Sequence, residues 1–144
     1  MACLLGFTSA AAAVLAAHGG ATARSPMPAA QQTTFNRDIA PIFFRYCAPC
    51  HRPGEAGPFP LLTYRDAKAR ALQIAALVSK RFMPPWLPEP QELRFADELR
   101  LSDEQIALIQ KWAEQGAVEG VPADLPAAPQ FVPGWQLGRP DEII

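Results

Sequence analysis

Histidine and cysteine are scarce in this chain. Its 144 residues hold three cysteines and two histidines, too few for a disulfide-stapled scaffold, and no second Cys or His pair is present to close a four-ligand zinc site. No basic excess exists to meet a polyanion: 13 Lys and Arg stand against 14 Asp and Glu, a net charge of −1, which argues against nucleic acid as a partner. Long apolar runs are missing too. The best of them, residues 4–17, is too short for a stable membrane span and is broken by glycine. There is no internal repeat.

What is present is concentrated. Two of the cysteines and one histidine fall together as Cys47-Ala48-Pro49-Cys50-His51, and C-x-x-C-H is the attachment signature of c-type haem. Two thiols one helical turn apart can each bond a haem vinyl group, and the next residue is an imidazole to aim at iron. A thioredoxin-type C-x-x-C would need a βαβ surround, whereas the flanking sequence here is helical and proline-rich. A plain disulfide between Cys47 and Cys50 would leave His51 idle.

The alanine- and leucine-rich start, ending in Ala21-Thr22-Ala23, reads as a secretory signal peptide over residues 1–23, although no Lys or Arg precedes its apolar core. Removing it takes away Cys3 and His18. The mature chain then carries only the motif's own thiols and imidazole, and a periplasmic or secreted location fits thiols handled on the oxidising side of a membrane. Charge is unevenly spread: residues 24–81 carry nine Lys or Arg against three Asp or Glu, and residues 82–144 carry four against eleven. That asymmetry reads either as solvated helix faces or as a basic collar that steers an acidic redox partner.

Residues 24–34 form a polar tether. A first helix is expected with Asp38 as N-cap, Pro41 in its first turn, and Ile39, Ile42, Phe43 and Tyr46 on one face. It runs straight into Cys47. A Gly/Pro loop over residues 52–61 follows. The second helix is announced by Thr63 with Asp66 as its capping partner, and Ala67, Ala71, Ile74, Val78 and Phe82 form its buried stripe. Met83 stands at its exit, before Pro84-Pro85. Ser102 and Gln105 make a capping box for a third helix, Leu101 and Ile106 its hydrophobic staple, and Ile106, Ile109, Trp112 and Ala113 its inner face. Gly116 is placed to end it in a left-handed conformation. Residues 121–144 are a proline-rich linker whose apolar ending, at Trp135-Gln136-Leu137 and Ile143-Ile144, suggests a further domain downstream.

In this order the residues resemble a mono-haem class I cytochrome c domain. More closely, Cys50-His51-Arg52-Pro53-Gly54, Met83-Pro84-Pro85-Trp86 and the Trp112 to Gly116-Ala117 ending resemble a secreted bacterial cytochrome c family that often precedes a copper-dependent, ascorbate-type monooxygenase domain. The likeness covers about residues 35–126, and the cytochrome c domain itself is expected over residues 35–120. It implies an all-α, three- to four-helix domain around one covalent haem, with Cys47 and Cys50 as thioether anchors, His51 and Met83 as iron ligands, and Pro58 as the carbonyl that accepts the His51 Nδ1 proton. Leu61, Ile74, Val78, Phe82 and Trp86 would line the haem, with Arg52, Arg81 and Trp86 available to its propionates. No copper-binding histidines exist here. The function implied is electron transfer without substrate chemistry, either as a carrier for a redox protein or as an accessory to a fused oxidoreductase. The alternative is a haem enzyme or gas sensor in which Met83 leaves the sixth iron position open.

Overall fold

The computed structural model describes residues 32–88, 95–132 and 138–142. The leader, most of the tether, and the Trp135-Gln136-Leu137 and Ile143-Ile144 stretches lie outside the described residues. Among the described residues four α-helices carry the fold: α1 (Ala40–Tyr46), α2 (Tyr64–Lys68), α3 (Ala71–Ser79) and α4 (Asp103–Glu114). A π-helical turn, Phe35–Ile39, leads into α1, and a 3₁₀ turn, Pro122–Asp124, follows α4. Among the described residues there is no strand, so the all-α class is as expected.

Helix α4 forms from purely local signals. The Ser102 hydroxyl accepts from the Gln105 N–H, the Gln105 side chain accepts from the Ser102 N–H at 2.9 Å, and Leu101 and Ile106 are both buried beside this box. Its other end closes through Gly116 at φ +92°, where an L side chain would be strained. There the Gly116 N–H reaches the Ala113 carbonyl and the Ala117 N–H reaches that of Trp112. This reversal returns the Val118 carbonyl to the Trp112 indole N–H, 2.9 Å away. The W-x-x-x-G-A pattern is therefore one device: a fully buried indole whose polar atom is satisfied by the backbone that its own helix cap turns back.

The start of the chain differs from expectation. Helical backbone begins at Phe35, three residues before the expected cap at Asp38. Thr34 is the extended flanking residue, and Asp38 reaches back to accept its N–H at 2.7 Å. The wider π turn also suits Pro41, whose ring would crowd the carbonyl four residues earlier in a regular helix. Thr33 and Thr34 are buried, and the Thr33 N–H donates to Gln115 Oε1. The last two tether residues thus belong to the domain.

The expected single second helix is two. Thr63 caps α2 as foreseen, with the Asp66 carboxylate taking the Thr63 hydroxyl proton instead of its backbone N–H. The chain then breaks at Ala69 and Arg70, and the Arg70 carbonyl restarts the ladder by accepting from Ile74. Ala67, Ala71, Ile74 and Val78 stay buried across the break, but Phe82 is 64% exposed and leaves the stripe. The cause is Arg81. It takes φ +54°, the Phe82 N–H bonds to Leu77 and the Arg81 N–H to Val78, and the backbone turns out before Phe82 can join the inner face.

Helices α3 and α4 pack against each other, and the π turn lies on α4. At their junction Phe35, Phe43, Tyr64 and Trp112 form a ring cluster with centroids 5.7–6.3 Å apart, in the tilted and edge-on arrangements that aromatic quadrupoles favour. Phe43 is on the inner face of α1, so the core fixes that helix and everything it presents at its C-terminal end.

Candidate functional site

That end is the Cys47-Ala48-Pro49-Cys50-His51 stretch. Cys47 closes α1, its N–H bonded to the Phe43 carbonyl at 2.9 Å, and the Cys47 carbonyl then accepts from Cys50 at 3.2 Å and from His51 at 2.8 Å. The motif is one further helical turn, pinned by the fully buried Ala48. Both thiols are free, Cys50 exposed and Cys47 half-buried against the core. Burial, with a smaller contribution from neighbouring Cys50, pushes the Cys47 thiol up to about 12.

His51 is held from outside the helix. Its Nδ1 lies 3.0 Å from the Phe59 carbonyl. A carbonyl can only accept, so Nδ1 carries a proton, and the nitrogen left for any ligand is Nε2. The Phe59 ring lies tilted beside the imidazole, centroids 4.9 Å apart. The acceptor is thus Phe59 and not the expected Pro58, which is exposed. The path of the loop explains the difference. Gly57 donates its N–H to the Cys50 carbonyl and Leu61 donates to that of His51, which folds the loop against the motif so that the carbonyl one residue after Pro58 turns inward. A Cβ on Gly57 would stand 2.6 Å from the Cys50 oxygen and 2.8 Å from His51 Nδ1.

The other expected site residues divide. Leu61, Ile74 and Val78 are buried in the core. Phe82 and Met83 are exposed, Met83 by 40%, and Trp86 is half-buried with its ring edge-on to Phe95. The Met83–Pro84 bond is cis. The polar contacts that hold this segment run to α3 and to the start of α4: Phe82 to Leu77, and Arg81 to the Leu101 carbonyl and the Asp103 carboxylate. None of these links Met83 to the motif turn.

Arg52 and Arg81 are not free arms for an anionic ligand. Arg52 pairs with Glu55 at 2.8 Å, its side chain only 10% exposed, and lies 4.2 Å from the Phe131 ring centroid. Arg81 is taken by Asp103. The basic half of the chain is largely satisfied in this local way: Arg37 pairs with Asp38, while Arg45, Lys68 and Arg70 sit over Tyr46, Tyr64 and Phe59. A cleft of about 430 Å³ runs beside the motif between Arg45, Pro49, Arg52, Asp97, Leu99 and Phe131.

Phe59, Arg70 and Phe131 escaped the sequence reading. The available signal was compositional: Phe59 stands between Pro58 and Pro60 in a loop otherwise poor in large side chains, and Phe131 is the single aromatic of the proline-rich stretch before Pro133. Among the described residues no three of His, Cys, Asp and Glu converge as a metal cluster, so Cys47, Cys50 and His51 do not share a focus. Among the described residues, too, no helix is long and apolar enough to cross a membrane. Compared with known protein families, with curated proteins and with solved structures, the chain matches none.

Proposed function

We propose that this chain is an exported electron-transfer module with one c-type haem, held by thioether bonds to Cys47 and Cys50 and ligated by His51 and Met83. The observation that carries the reading is the placement of His51: fixed to Phe59 through Nδ1, it leaves Nε2 for a ligand on the same turn that bears two free thiols. Zinc would want these groups to converge, and they do not. The large apolar side chains of Phe82 and Leu87, exposed on either side of Met83, suit a cofactor with a broad apolar face. Bound there, haem supplies a one-electron couple, which His/Met ligation sets at a relatively positive potential. The residues' own work is to anchor it, orient it and exclude water from it. The partner is a redox protein or a fused oxidoreductase domain, and the domain's likeness to class I cytochromes c is part of the same proposal.

A second reading draws on Met83 itself. Its exposure, and a segment tied to α3 and α4, suit an iron whose sixth position stays open in an oxidant-handling enzyme or gas sensor.

Denaturing electrophoresis of protein matured with the haem-attachment machinery, followed by a haem peroxidase stain, tests the proposal. Colour should stay on the polypeptide and vanish in the Cys47→Ala, Cys50→Ala double variant. A colourless wild-type band sinks it.

A further inference from the structure

The ligand-side contacts of His51 do not end at Phe59. The Arg70 guanidinium carbon also stands 4.1 Å from the centroid of the Phe59 ring, close enough for the cation to be drawn to the π face. The Phe59 ring thus meets both the tilted imidazole and the guanidinium, and the imidazole is also joined to Phe59 by the Nδ1 bond to its carbonyl. Among the described residues Arg70 has no carboxylate partner, and its guanidinium lies against the Phe59 ring.

The position of Arg70 in the fold gives these contacts a use. Phe59 belongs to a Gly/Pro loop without regular structure, whereas Arg70 starts α3, whose Ala71, Ile74 and Val78 are locked in the core. We propose that Arg70 is a positioning residue for His51: it clamps Phe59 to the rigid start of α3, and Phe59 in turn fixes the plane of the imidazole through its ring and its carbonyl. This rests on the reading of His51 as an iron ligand. It adds that the ligand plane is set by the junction of α2 and α3, and it accounts for the break between those helices, since an unbroken helix would not leave Arg70 at an N-terminal boundary facing the loop.

The test uses the haem-loaded protein, with the haem stain run first on the wild type. In the ferric low-spin state the proton NMR shifts of the haem methyl groups report the orientation of the axial imidazole. Arg70→Gln, which keeps a polar chain but loses the cation, should reorder those shifts and lower the midpoint potential, because a positive charge near the iron favours the ferrous form. Arg70→Lys should restore both toward wild type. Phe59→Leu, which keeps the carbonyl and removes the ring, should reproduce the reordering, and Arg70→Gln added to it should change the shifts no further. If Arg70→Gln fails to load haem, the Phe59→Leu and Arg70→Lys spectra decide. Wild-type shifts and potential in Arg70→Gln, or in Phe59→Leu, overturn the positioning role while leaving the haem reading intact. A colourless wild type removes both.

Discussion

Gly57 approaches His51 so closely that a methyl group on its Cα would meet the imidazole Nδ1 at 2.8 Å. The neighbours it would strike are a backbone oxygen and the ring itself, neither of which can swing aside. Gly57→Ala should therefore cost about 1–3 kcal/mol through forced backbone shifts and disturb the Nδ1 bond to Phe59. Thermal melting checks this, as does, under the proposed haem attachment, the visible spectrum of the haem-loaded protein. An unchanged melting temperature with an unchanged spectrum would show that the loop has room to spare.

Cys47 gives the protein without attached haem a pH dependence of known sign. Its thiol is ordinary when unfolded, at 9.0, and raised to about 12 when folded. Between those values the unfolded chain has lost a proton that the folded one keeps, so stability falls as pH rises. Below 9.0 the contribution is fully present. Denaturant melts across this window should fall more steeply for the parent than for Cys47→Ala, and parallel curves would contradict the burial. At pH 8 the exposed Cys50 should be alkylated well before Cys47, as peptide mass mapping would show.

Met83→Ala separates the two functional readings. With Met83 as ligand, the wild type is low-spin in both oxidation states and slow to bind carbon monoxide or cyanide, while the variant turns high-spin or water-ligated, drops in potential and gains peroxidase activity. A wild type that is already high-spin and binds these ligands rapidly selects the open-site alternative.

A proline-rich linker by itself would add little to the domain beyond about Ala127. The Phe131 ring over Arg52 says otherwise. A cation–π contact beside a nearly buried guanidinium contributes about 0.5–1 kcal/mol, so ending the chain at Ala127 should lower the melting temperature by about 2–8 °C. No change would mean that this contact is not populated in solution.

The difference between what the sequence disclosed and what it hid follows the range of the interactions. Helix α4 was legible from cap to cap because Ser102, Gln105, Ile106 and Gly116 act within a few residues of one another. The Cys47, Cys50 and His51 turn was legible for the same reason. The break at Ala69 and Arg70 was not, since no glycine or proline marks it, nor was the contact of Arg70 with Phe59, eleven positions back, which no periodicity records. Phe82 was misplaced because the left-handed residue that turns the chain away is Arg81, where a glycine would have announced it. Pro58 missed by one position, since the inward carbonyl depends on how tightly Gly57 draws the loop onto Cys50, a distance that composition does not encode.

The backbone ties between the two flanks of the domain carry a mechanical consequence. Phe35 donates to Val118 and Asn36 to Glu119, at 2.8 and 2.9 Å, and the Asn36 side chain reaches the Val121 carbonyl. Both segments advance in the same direction through these bonds, so tension applied to the chain before Thr34 and after Val121 would strain them together in shear instead of peeling them one at a time. A neighbour tugging on either flank would meet this clasp before its force reached α1 and the turn that bears His51.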